Sequence, residues 1–374
     1  MSLRVGIVGR RASAFAEAIK LSPDAELAAM CDIDADLLKI EADRFEIPLR
    51  FTEFEGMLEH VDAVLVATPM HLHAGQSITA LEAGKAVLSE VTACVSLEEC
   101  RQLVDAVERT GGTYMMSENY CYSRDAVLVR ELARKGFFGE VYYGEGEYLH
   151  DVKPLHHFSD GRPTWRMQWQ VGTRGNTYPT HSLGPVMQWI EAVDSDDRPA
   201  SIVCFGSGIH TDPEHPHDDT TVTLVQTKNG RLVSLRLDMM SNRPHQVGYY
   251  ALQGTTGVYE ASRKANEPGS VWFGKNPVPG PVEQEHREWR PLSDFEDNLP
   301  EFWRNPPEAA IRAGHSGGDY FVIQDFIACA LGRAPNPIDV YRAAEWTAVG
   351  LCSQQSILTS QPVAVPSFRK DKPA

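Results

Sequence analysis

The first 120 residues alternate short apolar runs with segments of helical period. The apolar runs predict strands at 3–8, 26–31, 63–67, 86–89 and 113–116. The segments between them predict helices at 12–20, 34–45 and 73–83, and a further helix that opens at a capping box at 96–99. Strands joined by crossover helices lie parallel, with helices on both faces of the sheet. This part of the chain is therefore predicted to be α/β, with a doubly wound parallel sheet.

The pattern changes after Tyr122. Strands predominate from there, at 140–148, 201–205, 220–226, 231–237 and 248–253, and hairpin turns such as Lys228-Asn229-Gly230 join the later ones. The sequence thus predicts two domains, a Rossmann domain at 1–122 and an α+β domain at 123–374 with a large open, mainly antiparallel sheet. One free sheet face suits a homodimer or homotetramer. Residues 262–312 are rich in Pro, Gly and charge and are expected to form a long excursion.

Charge and cysteine usage exclude several classes of protein. The chain has 35 Lys+Arg against 51 Asp+Glu, a net charge of −16. That balance argues against partners that are nucleic acids or anionic membranes, because both require dense basic contacts. The 7 cysteines form no Cys-x-x-Cys pair, and the first predicted strand leaves no room for a signal peptide. The expected compartment is the cytoplasm, and the expected partner is a small molecule.

The first strand runs into a turn of the dinucleotide-binding kind, Gly9-Arg10-Arg11-Ala12-Ser13-Ala14. Compared with the Gly-x-Gly-x-x-Gly/Ala fingerprint, the turn glycine and the small packing residue are present, and Arg11 replaces the middle glycine. An arginine widens the loop, and its guanidinium offers a direct clamp for phosphate. Gly9, Arg10 and Arg11 are therefore predicted to contact the cofactor.

Asp32 ends the second predicted strand, where NAD-binding domains carry a carboxylate for the ribose hydroxyls. The alternative is that Asp32 and Asp34 only cap the next helix. The order strand, turn, helix, strand and Asp favours cofactor binding. A carboxylate at this position repels a 2′-phosphate, so NAD is expected in preference to NADP.

Two longer motifs resemble a known family. They are the run Val-Leu-Val-Ala-Thr-Pro-Met-His-Leu-His at 64–73 and the run Ala-Gly-Lys-Ala-Val-Leu-Ser-Glu at 83–90. They resemble the Gfo/Idh/MocA oxidoreductases, which combine a Rossmann domain with an open antiparallel sheet. The resemblance implies further cofactor contacts from Thr68, Met70, His71, His73, Glu90, Val91 and Asn119.

The chain departs from that family at the position of its catalytic lysine. The usual Glu-Lys-Pro is Glu90-Val91-Thr92, and Thr177 replaces the Asp that usually precedes the catalytic histidine by four residues. A narrower resemblance accounts for the departures. The runs at 115–122, 148–151, 165–166 and 175–185 are similar to those of glycoside hydrolase family 109, a group of NAD-dependent glycosidases with the same fold.

That narrower resemblance implies a redox-neutral route. Family members first oxidise a sugar ring hydroxyl, normally at C3, with tightly held NAD. The resulting ketone acidifies the C2–H bond, which permits elimination of the aglycone. Water then adds, and the hydride returns to the sugar. It also implies catalytic roles for Tyr148, Tyr178, His181 and Glu118, and substrate contacts from Tyr148, Trp165, Arg166, Tyr178 and His181. The alternative is structural, with His181 capping a helix and the aromatic rings packed in the core.

Three functions stay open at this point. The leading one is an NAD-dependent oxidoreductase that acts on a sugar or glycoside; the second is a redox-neutral glycosidase; the third is an NAD-sensing protein without turnover. Histidines at 156–157 and in the stretch 214–219 suggest metal ligands, but proline-interrupted loop histidines are expected to face solvent. No metal is therefore predicted.

Overall fold

The computed structural model describes residues 2–243, 246–264, 267–274, 288–314 and 317–369. The contacts divide the chain into two compact units. The first comprises Met1–Tyr122, Pro306–Ala348 and Ser367–Ala374, and the second comprises Ser123–Asn305 and Val349–Pro366. Within the described residues, 306–314, 317–348 and 367–369, which were predicted to belong to the second domain, therefore belong to the first unit. No helix in the described part of the chain is long and apolar enough to cross a membrane.

The strands form two sheets, one in each unit. The strands of the six-stranded sheet are β1 (Leu3–Val8), β2 (Ala25–Cys31), β3 (Leu49–Phe51), β4 (Ala63–Val66), β5 (Ala86–Glu90) and β6 (Tyr114–Ser117). Those of the nine-stranded sheet are β7 (Val141–Leu149), β8 (Pro199–Gly206), β9 (Thr220–Thr227), β10 (Leu232–Asp238), β11 (Gln246–Gly254), β12 (Gly257–Glu260), β13 (Ser270–Phe273), β14 (Arg290–Pro291) and β15 (Val363–Ala364).

The α-helices follow the predicted alternation in the first part of the chain and become sparser after it. In chain order they are α1 (Ala16–Lys20), α2 (Ala35–Arg44), α3 (Phe54–Leu58), α4 (His73–Glu82), α5 (Leu97–Thr110), α6 (Arg124–Arg134), α7 (Arg166–Trp169), α8 (Thr180–Val193), α9 (Glu301–Arg304), α10 (Glu308–Arg312), α11 (Gly318–Ala330) and α12 (Val340–Thr359).

The first sheet has the strand order β3-β2-β1-β4-β5-β6, and each recorded pairing is parallel. All residues of β4 are buried, as expected for a strand covered on both faces. Strands β2 and β3 lie on one side of β1, and β4, β5 and β6 lie on the other. The switch point of the sheet is therefore between the neighbouring strands β1 and β4. Ligands of doubly wound folds bind at the carboxyl ends of the strands near that switch point. The predicted doubly wound sheet is confirmed.

The helix predicted over 12–20 begins differently from the expectation. A 3-10 helix occupies Arg10–Phe15, and the α-helical turns of α1 start only at Ala16. The Ser13 hydroxyl donates to the Arg10 carbonyl at 2.8 Å, and the Ala12 amide donates to the Gly9 carbonyl at 3.0 Å. These short-range bonds define the loop in which Arg11 replaces the usual glycine.

The second sheet has the order β14-β13-β12-β11-β7-β10-β9-β8-β15. The β7–β10 pairing is parallel and the others recorded are antiparallel, so the predicted mainly antiparallel sheet is confirmed. Side chains alternate between buried and exposed along β9, with Val222 and Leu224 on the exposed face. Assembly into a homo-oligomer stays a prediction.

Helix α8 packs on β7 and forms the core of the second unit. The indole of Trp189 is buried, its N–H donates to the Ala126 carbonyl at 2.8 Å, and its ring meets Tyr250 and Tyr259 edge to face. Part of the expected excursion is ordered as β13, β14 and α9, whereas residues 275–287 lie outside the described part of the chain.

Candidate active site

The carboxyl edge of the first sheet brings together the predicted cofactor residues. Each of them follows the end of a parallel strand, or lies in the turn or helix that comes next. Gly9, Arg10 and Arg11 follow β1; Asp32 follows β2; Thr68, Met70, His71 and His73 follow β4; Glu90 and Val91 lie at the end of β5; and Asn119 follows β6, next to Glu118, which is predicted to be catalytic. Because all these strands run the same way, their ends meet along one edge of the sheet.

The turn after β1 can be made only by glycine. Gly9 has φ of 84°, a left-handed conformation, and a Cβ atom there would lie 2.8 Å from the carbonyl oxygen of Ala67. Its amide donates to the Cys31 carbonyl at 2.9 Å. The first glycine of a dinucleotide-binding fingerprint has this role, since it makes the tight turn at the end of the strand. The turn therefore fits a dinucleotide.

The alternative that Asp32 is a helix cap does not agree with the structure. Asp34 is the N-cap of α2, and its carboxylate accepts hydrogen bonds from the amides of Asp36 and Leu37, both at 3.1 Å. Asp32 is half-buried just beyond β2 and accepts the Asp34 amide at 2.9 Å. Burial raises the pKa of its carboxyl above the ordinary value. Asp32 is therefore available for the role of a ribose acceptor.

Arg11 lies between two buried carboxylates. Its guanidinium is 3.2 Å from Glu90 and 3.5 Å from Asp319, and it stacks over the ring of Phe15. Asp319 also accepts a hydrogen bond at 3.1 Å from the side-chain amide of Asn119. Arg11 thus forms ion pairs with both carboxylates, and its predicted contact with the cofactor phosphate stays a prediction.

Asp319 is a site residue that the sequence analysis did not assign. It opens α11, is buried, and is brought to Asn119 across 200 residues of sequence. Gly318 permits the approach, because a Cβ atom there would lie 2.7 Å from the Asn119 carbonyl oxygen. The glycine-rich stretch at 314–319 was the available signal, although His315 and Ser316 lie outside the described residues.

His73 joins two loops of the predicted cofactor site. Its ring is buried, and its nitrogens lie 2.8 Å from the carbonyl oxygens of Thr92 and Thr68. Burial lowers the pKa of His73. The neutral ring that burial favours carries one N–H, so it donates to one of these two carbonyl oxygens and lies against the other. Beside it, the Thr68 hydroxyl donates to Gln76 at 2.6 Å, Met70 is buried and His71 is half-buried.

Glu118 and Asn119 leave β6 within a tight turn. Glu118 is completely buried, and its carboxylate accepts the amide of Tyr120 at 3.2 Å. The sequence analysis assigned Glu118 to catalysis. The structure places it on the first unit, at the sheet edge that carries the cofactor residues.

Three titratable rings meet in the second unit. Tyr148 lies near the end of β7, and His181 lies in the first turn of α8. The ring centroids of Tyr148 and His181 are 4.9 Å apart, those of Tyr178 and His181 are 4.9 Å apart, and those of the two tyrosines are 5.7 Å apart. Tyr148 and His181 are 7% and 6% exposed, and Tyr178 is half-buried. We call these three residues the tyrosine–histidine cluster.

Two glycines on β7 create this cluster. A strand places alternate residues on one face, so Gly144, Gly146 and Tyr148 face α8 together. A Cβ atom on Gly146 would overlap the carbonyl oxygen of Ser182, and one on Gly144 would lie 2.5 Å from a methyl group of Val186. The helix therefore rests directly on the strand, and its first turn reaches the Tyr148 ring.

Hydrogen bonds hold two members of the cluster in place. The hydroxyl of Tyr148 lies 2.8 Å from Nδ1 of His150, so a proton can pass between the phenol and the imidazole. The hydroxyl of Tyr250 donates to the backbone carbonyl of His181. His150, which the sequence analysis left unassigned, is thus part of the same hydrogen-bonded group.

The predicted sugar contacts lie on and just before α7. Trp165 immediately precedes that helix, and the guanidinium of Arg166 stacks 4.5 Å above the Trp165 ring centroid. Arg166 also donates to the side chain of Gln170 at 2.7 Å. Both residues are half-buried, and together they present an aromatic plane next to a fixed cation.

The expectation that the loop histidines face solvent is wrong for three of them. His156, His215 and His217 are 2%, 4% and 1% exposed, because the loop between β8 and β9 folds back over the segment that carries α7. The Nδ1 atom of His217 lies 2.8 Å from the Thr173 carbonyl, and Arg174 donates to the buried carboxylate of Asp218 at 2.8 and 3.0 Å.

Known proteins resemble the chain over nearly its full length. Residues 3–118 match the family model for the oxidoreductase family, NAD-binding Rossmann fold, and residues 122–373 match the one for the glycosyl hydrolase 109, C-terminal domain. Two proteins named glycosyl hydrolase family 109 protein, from Shewanella sp. strain W3-18-1 and Shewanella putrefaciens, are each 31% identical to this chain. Those matches cover 98% of this chain and 85% of each relative.

Solved structures extend the likeness to the fold. A levoglucosan dehydrogenase in complex with NADH matches with a TM-score of 0.80 at 20% identity, covering 98% of this chain and 100% of that one. An oxidoreductase domain protein from Kribbella flavida matches with a TM-score of 0.78, also at 20% identity and with the same coverage. The first domain is an NAD-binding Rossmann domain, and the predicted cofactor is confirmed.

Proposed function

The chain belongs to the glycosyl hydrolase 109 family, as its motifs predicted, and we propose that it is an NAD-dependent enzyme acting on a sugar or glycoside. The proposed first step is removal of a hydride from a ring carbinol, at C3. The proposed net reaction is cleavage of the glycosidic bond without net oxidation. The observation that carries the proposal is the tyrosine–histidine cluster of the second unit.

The cluster offers more proton-transfer groups than a simple dehydrogenase needs. Oxidation of an alcohol requires one base, for the hydroxyl proton. Elimination through a ketone also requires a base for the C2 proton and an acid for the leaving oxygen. Tyr148, Tyr178 and His181, together with His150 bonded to Tyr148, are enough for all three transfers. The number of proton-transfer groups therefore favours a glycosidase over a net dehydrogenase.

The first unit's proposed task is to hold NAD. Gly9 makes the tight turn of the loop that would hold the pyrophosphate, and the Asp32 carboxylate would accept hydrogen bonds from the ribose hydroxyls. Asn119 is proposed to contact the nicotinamide side, with its amide group oriented by Asp319. When bound, NAD supplies the hydride acceptor for the first step and the hydride donor for the last.

Each ring of the tyrosine–histidine cluster is proposed to carry one proton transfer. His181 takes the proton of the hydroxyl that becomes the ketone. Tyr148 takes the proton from C2 while it passes its own hydroxyl proton to Nδ1 of His150. Tyr178 gives its proton to the departing aglycone oxygen and recovers one from the water that adds. In the second half of the reaction His181 and Tyr148 return their protons to the sugar, and Tyr178 has regained its proton from water. All three side chains therefore end in the protonation states in which they began.

Trp165 and Arg166 are proposed to bind the sugar. An aromatic face packs on the apolar side of a pyranose ring, and a guanidinium donates several hydrogen bonds in a fixed plane. The cation–π contact of Arg166 with the Trp165 ring and its hydrogen bond to Gln170 hold that plane in position.

The test is a turnover assay with aryl glycosides on protein as purified, with no cofactor added. Aglycone release and nicotinamide reduction are followed together by absorbance, and the product is analysed after reaction in D2O. We expect repeated aglycone release without NADH accumulation, and deuterium at C2 of the released sugar. Accumulation of NADH only when NAD is supplied would show a net dehydrogenase. Retained NAD without turnover across a panel of glycosides and free sugars would overturn the catalytic proposal.

A further inference from the structure

Three side chains outside the proposed active site converge in the second unit. His156 follows the 3-10 helix Lys153–Leu155, and Asp212 and His215 belong to the loop between β8 and β9. One potential ligand atom from each of the three lies within 4.8 Å of the other two. The imidazole rings of His156 and His215 are buried, with centroids 4.9 Å apart.

The polar atoms of this group are only partly satisfied by the protein. Nδ1 of His215 lies 2.9 Å from a carboxylate oxygen of Asp212, and the other carboxylate oxygen accepts the amide of Glu214 at 3.2 Å. Nε2 of His156 is buried, and no hydrogen-bond partner for it lies among the residues described. Buried nitrogens of this kind are normally paired, so an unpaired one on a residue of this three-residue group points to a missing ligand.

Two imidazoles and one carboxylate are a donor set for first-row divalent metal ions. Donor atoms around a tetrahedral zinc ion, with bonds of about 2.0–2.1 Å, lie about 3.4 Å apart. The three potential ligand atoms of this group, which lie within 4.8 Å of one another, bracket that value: Nδ1 of His215 is 2.9 Å from the Asp212 carboxylate. Burial and the neighbouring His215 lower the pKa of His156 to about 4, which keeps its imidazole in the neutral form that binds metals.

We propose that His156, Asp212 and His215 bind one divalent transition-metal ion, with Zn²⁺ the preferred ion and a water molecule in the fourth position. The expectation of no metal was drawn from the sequence, where the two histidines belong to separate stretches. The fold brings one histidine from each stretch together and adds Asp212, which neither histidine motif included.

The proposed metal ion is a structural clamp. The loop between β8 and β9 is already attached to the segment before α8 by His217 at Thr173 and by Asp218 at Arg174. A metal ion adds a third attachment, from the same loop to His156. Met167, in α7, lies against His215, so this attachment supports the helix that begins at Arg166. The proposal does not depend on NAD or on glycoside cleavage.

Zinc binding to untagged, chelator-treated full-length protein is the direct test. We expect calorimetry to give one Zn²⁺ per chain, and Co²⁺ to give the visible absorption of a tetrahedral site with nitrogen and oxygen ligands. At a zinc concentration about 100 times Kd, the melting temperature is expected to rise by about 5 °C. No binding of either ion by the wild-type protein would overturn the proposal.

Matched variants separate this site from adventitious binding by surface histidines. Asp212→Asn keeps the size of the side chain and removes the charge, so it is expected to fold and to lose at least about tenfold in zinc affinity. His215→Ala is expected to abolish binding. His157→Ala, at the exposed neighbour of His156, is the control and should bind zinc like the wild type. Equal binding by all three variants, or an equal loss in the control, would contradict the site.

Discussion

Gly146 of β7 lies so close beneath the first turn of α8 that a Cβ atom on it would overlap the carbonyl oxygen of Ser182. Backbone atoms cannot yield as a flexible side chain does. The missing side chain therefore determines how close the helix comes to the strand. His181, the residue before Ser182, owes its contact with the Tyr148 ring to that short separation.

Gly146→Ala is predicted to impair catalysis more than stability. The added methyl group pushes α8 away from β7 and moves His181 relative to Tyr148. Displacement of about 1 Å between catalytic groups can lower the rate about 100-fold. Overpacking of this kind costs about 1–3 kcal/mol in the free energy of unfolding. The measurements are kcat and KM for an aryl glycoside, with the melting temperature recorded in parallel.

Two glycine variants serve as controls for that experiment. Gly144→Ala places its methyl group against a movable methyl of Val186, so its effect should be smaller. Gly75→Ala, at an α4 position where a Cβ atom meets nothing within 4 Å, should leave activity unchanged. Normal activity in folded Gly146→Ala would show that the helix position does not govern the cluster.

Tyr148→Phe is predicted to remove a proton-transfer group while keeping the ring. The variant loses the hydroxyl that lies 2.8 Å from Nδ1 of His150, and kcat should fall by about 100-fold to 10,000-fold. KM should change little, because the ring still fills its place beside His181 and Tyr178. The measurement is the pH profile of kcat, in which the contribution of the Tyr148–His150 pair should disappear.

The control for the tyrosine is Tyr142→Phe on the same strand. Tyr142 is exposed and accepts a hydrogen bond from Gln253, away from α8. It should retain full activity. A Tyr148→Phe enzyme with an unchanged pH profile would restrict Tyr148 to a packing role.

Asp32→Asn is predicted to reduce the preference for NAD over NADP. The neutral amide no longer repels a 2′-phosphate, and it loses charge-assisted hydrogen bonds to the ribose. We expect the affinity for NADH to fall about tenfold to 100-fold, with weaker discrimination against NADPH. Fluorescence titration of the nucleotide-free protein measures both dissociation constants.

Asp34→Asn is the matched control for that substitution, because asparagine is an equally good N-cap for α2. It should leave both affinities unchanged. If Asp34→Asn shifted the nucleotide preference as strongly as Asp32→Asn, the ribose assignment would be wrong.

The parallel sheet was the most predictable part of the fold. Strand β1 has the bounds expected from its β-branched run, and the others differ by a residue or two, because buried parallel strands are apolar on both faces. Strand β3 was missed because it has only 3 residues, none of them buried. Helix α12, with 20 residues, was missed because its apolar residues do not form one clear stripe.

In the candidate site, the residues fixed by local sequence order were predictable, and those brought together only by folding were not. The positions of Gly9 and Asp32 follow from local order, strand then turn then helix, and were predictable. Asp319 was not, because only the folded chain brings it to Asn119. The burial of His156 and His215 was likewise unpredictable, since it depends on how the loop between β8 and β9 folds back.

Arg174→Gln is predicted to destabilise the second unit in a pH-dependent manner. Burial raises the pKa of the Asp218 carboxyl, but hydrogen bonds from Arg174 and the Gly208 amide outweigh it, so the pKa in the folded protein lies below the ordinary value. A carboxyl whose pKa is lower in the folded than in the unfolded protein stabilises the fold at pH values above its unfolded pKa, about 3.9. That stabilisation is lost as the pH falls through the pKa of the folded protein. Removal of Arg174 leaves the buried Asp218 carboxylate with the Gly208 amide but without its cationic partner, which costs about 1–3 kcal/mol at neutral pH because the Arg174 side chain is partly solvated.

Urea unfolding at about pH 7, 5 and 3.5 tests that prediction. The difference in the free energy of unfolding between the wild type and Arg174→Gln should be constant between the two higher values and should shrink at the lowest, where Asp218 in the variant becomes protonated. Arg162→Gln breaks the exposed pair with Asp160 and should leave the free energy of unfolding nearly unchanged at each pH. A penalty for Arg174→Gln that did not change with pH would show that its packing, and not its charge, stabilises the loop between β8 and β9.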